Sequence, residues 1–116
     1  MFEIKSADYS VFVGDVLTKA DELISKSYAR CHKVILVDEN SAKYCLPQIQ
    51  GLASLKNAEV LQIQSGEEHK TLETTSRIWK HLSSNKLNRT ALFVNVGGGV
   101  IIDMGGFASS TYKRGI

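Results

Sequence analysis

The sequence predicts an α/β fold: a mostly parallel sheet covered by helices on both faces, with a β-hairpin at the N-terminus. Three observations predict it. From residue 16 onward, short apolar segments alternate with segments of helical spacing, the order that builds parallel strands joined by helical crossovers. Each of the three later apolar segments runs into a polar or glycine-rich stretch: "DEN" at 38–40, "SGEEHK" at 65–70 and "GGG" at 97–99. Before residue 16, apolar and polar residues alternate about a short polar turn, the pattern of two paired strands.

The elements follow in order. "MFEIKSADYSVFVGD" gives strands over 2–5 and 10–13. Asp15 is placed to cap the next element. Leu17, Ala20, Leu23, Ile24 and Tyr28 recur at helical spacing and predict an amphipathic helix over 16–29. "KVILVDEN" reads as a short buried strand over 33–37 that ends in polar residues. "SAKYCLPQIQGL" is a weaker helix that Pro47 ends or kinks. "AEVLQIQ" supplies a strand over 59–63, and "SGEEHKT" a polar loop. Leu72, Ile78, Trp79 and Leu82 mark a helix over 72–84. "TALFVNV" is a strand over 90–96, and the glycines that follow lead into a last helix.

Composition narrows the functional classes. A chain of 116 residues is enough for one domain with one core. Its net charge of +2, with no basic run, gives no footprint for nucleic acid. No apolar run approaches the length of a membrane span, and the opening "MFEIKSADYS" is not a signal peptide, so a cytoplasmic protein is expected. Cys31 and Cys45 form neither a disulfide framework nor a zinc pair, and His32, His69 and His81 have no ligand spacing. No metal ligands are therefore assigned.

Ligands of parallel sheets bind beyond the carboxyl ends of the strands. The glycine stretch is the most informative of the three strand ends, because six of the nine glycines fall within residues 94–116. Glycines after a buried strand let the backbone approach a ligand closely. The following helix presents free N–H groups and the positive end of its dipole, a combination suited to phosphate or pyrophosphate. A tight turn without a ligand is the alternative. The ordinary dinucleotide fingerprint does not fit, since it needs glycine at position 102, where this chain has Ile102. Gly105 and Gly106 weaken the helix by about 1 kcal/mol each relative to alanine, which close packing of helix on sheet can offset. Asp103, one turn into the helix, is repelled by pyrophosphate. It serves either as an acceptor for ribose hydroxyls or as an acid that stabilises the helix dipole.

"GGGVIIDMGGFASSTYKRGI" resembles the signature of the 3-dehydroquinate synthase family. "SGEEHKTLET" is similar to the family's Gly-Glu-x-x-Lys segment, and "ILVDEN" to its other nucleotide contact, all in the family's order. The resemblance implies a Rossmann-like domain that binds NAD, followed in the family by a helical domain holding zinc or another divalent metal. This chain then corresponds to the N-terminal NAD-binding part. The family's onward strand, its Thr-Thr segment and its metal-ligand set are not among these residues, and the part alone is expected to be inactive.

Residue by residue, the resemblance places Asp38 and Asn40 at the adenosine ribose and Glu67 and Lys70 along the nucleotide. It places Gly98, Gly99, Val100 and Asp103 around the glycine turn. Arg114 matches an arginine that reaches into the partner subunit's site in the family to bind the substrate's anionic group, which implies a homodimer. The plainer alternatives are a strand-ending turn for Asp38 and Asn40, a solvated charged loop for Glu67 and Lys70, and a surface position for Arg114. Ile102 departs from the family's usual glycine, so it either crowds the turn or faces the sheet.

The implied reaction converts the sugar phosphate 3-deoxy-D-arabino-heptulosonate 7-phosphate to 3-dehydroquinate and phosphate in the shikimate pathway. NAD is reduced and reoxidised within one turnover. The iron- or zinc-dependent polyol dehydrogenases, other sugar-phosphate cyclases and a stand-alone nucleotide-binding module are the competing readings.

Overall fold

A computed structural model describes residues 1–116. Strands β1 (Phe2–Lys5) and β2 (Ser10–Val13) pair antiparallel, with Phe2 opposite Val13 and Ile4 opposite Val11. The hairpin stands apart from the main sheet, and Phe2, Ile4, Val11 and Val13 are all exposed. Helix α1 (Leu17–Ser27) follows. Asp15 does not cap it; Val16 is the N-cap residue and makes no side-chain bond. Nor is its apolar stripe fully covered, because Leu23 and Tyr28 remain exposed and no α1 residue is buried.

The main sheet holds β3 (Lys33–Asp38), β4 (Glu59–Ile63) and β5 (Leu92–Asn95), all parallel, in the order β4-β3-β5. β3 is central, and Val34, Ile35, Leu36 and Val37 are completely buried. Alternate residues of β3 serve two cores. Val34 and Leu36 pack with Ile78 and Leu82 of α4 (Leu72–Ser84) and with Ile101, Met104 and Ala108 of α5 (Gly99–Thr111). Ile35 and Val37 pack on the other face with Leu55, Ile24, Ala42 and Ile49. The sheet is thus covered on both faces, as the sequence predicts, and the fold is Rossmann-like α/β.

Several boundaries differ from the sequence reading: α1 is shorter than 16–29 and β3 runs one residue past 37. The weak helix becomes two, α2 (Glu39–Tyr44) and α3 (Leu46–Gln50). Pro47 sits in the first turn of α3, where its missing N–H costs nothing, so it begins a helix rather than ending one. α2 starts before Ser41 because Asp38 caps it. "SGEEHKT" is ordered into a 3-10 turn over Glu67–His69. β5 is shorter than the predicted 90–96.

Topology fixes where a ligand can enter. After β3 the chain turns to α2 on one face, whereas after the adjacent β5 it turns to α5 on the other. Diverging connections leave a crevice between the carboxyl ends of those two strands, the switch point at which open parallel sheets hold ligands.

Candidate functional site

The three polar strand ends lie along one edge of the sheet, and each is built differently. At the end of β3, Asp38 is the N-cap of α2. Its Oδ1 accepts from the backbone N–H of Asn40 at 2.9 Å and of Ser41 at 2.8 Å, while Ser41 Oγ accepts from the Asp38 N–H at 3.1 Å. Oδ2 makes no bond within the chain and is the acceptor left for a ligand. The Asn40 side chain is exposed and adjacent. The cap thus engages one oxygen of the carboxylate and leaves the other unbonded.

At the end of β4, Gly66 takes φ +102°, and a Cβ there would meet the Glu68 carboxylate. That turn delivers Lys70, whose ammonium lies 2.9 Å from Asp103 Oδ2 and 3.9 Å from Glu67 Oε2. The hydrogen bond and charge of Asp103, aided by the charge of Glu67, raise the Lys70 pKa above its ordinary value. The carboxylate that sequence reasoning required to point away from a pyrophosphate points at this lysine. Lys70, Thr71, Leu72, Asp103, Met104 and Phe107 line most of a cleft of about 310 Å³ between the start of α4 and the middle of α5.

At the end of β5, Gly98 caps α5 with extended backbone and without a side-chain bond, so the first N–H groups of a thirteen-residue helix stay free. A Cβ on Gly98 or Gly99 would meet nothing within 4 Å. The chain itself does not require glycine at these two positions, and the space above them is open. Gly97 and Gly105 differ. A Cβ at Gly97 would stand 2.8 Å from Ile101, and one at Gly105 would fall inside the Asn95 side-chain amide. Gly105 thus packs helix on sheet as expected, whereas Gly106 packs against nothing. Ile102 neither crowds the turn nor faces the sheet, for it lies 55% exposed on the outer side of α5.

The structure gathers Asp38, Asn40, Glu67, Lys70, Gly98, Gly99, Val100 and Asp103 at the carboxyl edge of the sheet. It leaves Arg114 out. That residue follows α5, about 20 Å along the helix from the glycine turn, and its backbone is left-handed with φ +67°. Glu39, which the sequence reading passed over, joins two of the strand ends: its carboxylate accepts from both the N–H and the hydroxyl of Ser65. No local spacing announces a contact across 26 residues.

A larger cleft, about 760 Å³, lies at the opposite end of the strands, and none of the selected site residues lines it. In its lining Glu59 accepts from His32 at 2.6 Å, and Glu59 lies 3.3 Å from His81. No group of three or more His, Cys, Asp or Glu residues is arranged to hold a metal ion. No helix is long and apolar enough to cross a membrane.

A parallel sheet flanked by helices, with a glycine turn leading from β5 into α5, defines an α/β domain of the Rossmann-like class. Residues 60–116 match the model of the 3-dehydroquinate synthase N-terminal family. The chain is 40% identical over 82 residues to a 3-dehydroquinate synthase of Parabacteroides distasonis, an alignment covering 71% of this chain and 23% of that protein. It is 30% identical over 115 residues to the corresponding protein of Ruthia magnifica, covering 98% of this chain and 32% of the relative. A crystal structure of 2-deoxy-scyllo-inosose synthase, complexed with carbaglucose-6-phosphate, NAD+ and Co2+, superposes with a TM-score of 0.78 at 26% identity. It covers 99% of this chain and 33% of the larger one. Residues 60–116 belong to the 3-dehydroquinate synthase N-terminal family. The chain spans at most about a third of the length of these relatives.

Proposed function

We propose that this chain is the NAD-binding portion of a 3-dehydroquinate synthase. The enzyme converts 3-deoxy-D-arabino-heptulosonate 7-phosphate to 3-dehydroquinate and phosphate, a carbon–oxygen lyase reaction of aromatic biosynthesis. The observation that carries the reading is the open space above Gly98 and Gly99, with the Lys70–Asp103 pair beside it. A Cβ on either glycine would project into that open space, and free helix N–H groups lie at the same helix end, which suits a pyrophosphate. Bound NAD supplies reversible hydride transfer, so the overall reaction carries no net redox change.

The residues of this chain bind and orient. The N–H groups of Gly99 and Val100 face the pyrophosphate. Lys70 adds a point charge, and Asp103 and Glu67 hold its ammonium in place. Asp38 Oδ2 and the Asn40 amide accept from and donate to the adenosine ribose. Arg114 serves a substrate anion across a homodimer. We infer from the family resemblance that the 116 residues alone release no phosphate from the substrate.

Titrating NAD into the purified chain by calorimetry tests the reading. Saturable binding that weakens at least tenfold in Lys70→Met supports it. Absence of binding by the unaltered chain sinks it. The likeness to 2-deoxy-scyllo-inosose synthase favours one second reading, a sugar-phosphate cyclase with another substrate. NAD binding is common to both, and phosphate release from each sugar phosphate by the longer protein separates them.

A further inference from the structure

The β3–β4 ladder ends at the pair Asp38–Ile63. Beyond it, the hydrogen bonds between the two departing segments are those that Glu39 accepts: Ser65 N–H to Oε2 at 2.9 Å and Ser65 Oγ–H to Oε1 at 2.5 Å. Each end of this link is anchored. Glu39 directly follows Asp38, whose Oδ1 is fixed by two backbone N–H groups of the first turn of α2. Ser65 directly precedes Gly66, whose left-handed backbone starts the turn that carries Glu67 and Lys70. With both oxygens engaged by Ser65, Glu39 has no need of a ligand to be satisfied.

We propose that Glu39 is a positioning residue for the nucleotide. By strapping Ser65 to the start of α2, it sets the spacing between Asp38 on one side and the Glu67–Lys70 turn on the other. This rests on the NAD-binding reading above and adds to it a residue that does not itself touch the ligand. The physical need is plain. A dinucleotide must meet groups on separate loops at once, and loops that leave adjacent parallel strands have no ladder to hold them together. The hydrogen bond from the Ser65 hydroxyl, with those from backbone N–H groups, keeps the Glu39 carboxyl below the usual carboxylate range, so it is ionised as an acceptor at neutral pH.

The test uses the purified chain with Glu39→Ala, Ser65→Ala, Ser65→Thr and the double variant Glu39→Ala/Ser65→Ala. NAD affinity is measured by calorimetry, and amide exchange is followed over residues 65–70. Glu39→Ala and Ser65→Ala are expected to weaken NAD about tenfold, the scale of hydrogen bonds to a charged acceptor. Ser65→Thr keeps the hydroxyl and restores affinity to within about twofold. The double variant is no weaker than Glu39→Ala alone, because the two residues form one link. Exchange at 65–70 quickens in Glu39→Ala, while the thermal midpoint moves by less than about 4 °C, as befits an exposed pair.

If the unaltered chain binds NAD and the alanine variants bind it equally well, the strap is overturned and the NAD reading stands. Additive losses in the double variant, or no rescue by threonine, also overturn it. If the unaltered chain binds no NAD, the functional reading falls and this role falls with it.

Discussion

Lys70 and Asp103 lie 33 residues apart in sequence and 2.9 Å apart in space, which decides how the charges of the rim are arranged. A free carboxylate beside a helix N-terminus competes with an anionic ligand. One paired to a lysine instead has its charge offset, and the pair fixes the position of the ammonium. The lysine pKa is raised, so the pairing contributes fully below the ordinary value of 10.5 and is lost as the pH rises through the higher folded value. The Glu39 pKa is lowered, so its contribution is present above 4.5 and disappears as the pH falls through the folded value below it. The gap in thermal midpoint between the unaltered chain and Lys70→Met is therefore expected to stay constant from neutral pH to about 10 and then to close.

The glycines also separate at this scale. Gly99→Ala adds a methyl into open space at the first position of a helix. It should leave the thermal midpoint unchanged or slightly raised while NAD affinity falls at least tenfold. Gly105→Ala drives a methyl into the Asn95 amide and should cost about 1–3 kcal/mol in chemical denaturation. If both substitutions behaved alike, the distinction between a ligand-facing and a packing glycine would be wrong.

Among the elements, α2 shows how one residue serves two ends. Asparagine caps a helix about as well as aspartate. Asp38→Asn should therefore hold the stability of the unaltered chain, whereas Asp38→Ala should lose about 1 kcal/mol. If Asp38 holds the ribose as proposed, both should weaken NAD, because the amide lacks the second carboxylate oxygen that the cap leaves unbonded. Denaturation beside NAD titration of the same two variants checks this, and full NAD affinity in Asp38→Asn would remove Oδ2 from the site. α5 shows the complementary case. Its cap glycine makes no side-chain bond, and its buried stripe of Ile101, Met104, Gly105 and Ala108 holds it against the sheet, so its N-terminus is fixed by packing and left open to a ligand.

On the scale of the whole molecule, the two core clusters and the side chains packed on them include no residue before Ile24. The hairpin contributes no buried side chain, and an isolated two-stranded hairpin is marginal in water. Deleting residues 1–14 should leave a cooperative unfolding transition with its midpoint within about 5 °C of the original, measured by circular dichroism. Loss of the transition would mean that the hairpin supports the sheet in a way its exposure conceals.

What the sequence by itself determined is the order and kind of the elements and the chemical identity of the strand ends. The buried run "KVILV" leaves no other role than a central strand, and Ile78 with Leu82 places α4 because apolar periodicity is local. The glycine turn, the "SGEEHK" turn and "DEN" were legible for the same reason, since each is a contiguous run of residues with distinct backbone needs. Contacts between distant segments were not legible. The first turn of α3 accepts Pro47 only because the chain breaks at Cys45, and Ile102 faces outward only because Ile101 and Met104 take the inner side of α5. Tertiary structure alone decided that Asp103 meets Lys70, that Glu39 meets Ser65, and that Arg114 stands apart from the other selected residues. Those outcomes depend on which strands are neighbours, and a β4-β3-β5 order is set by the packing of both faces at once rather than by any local run of residues.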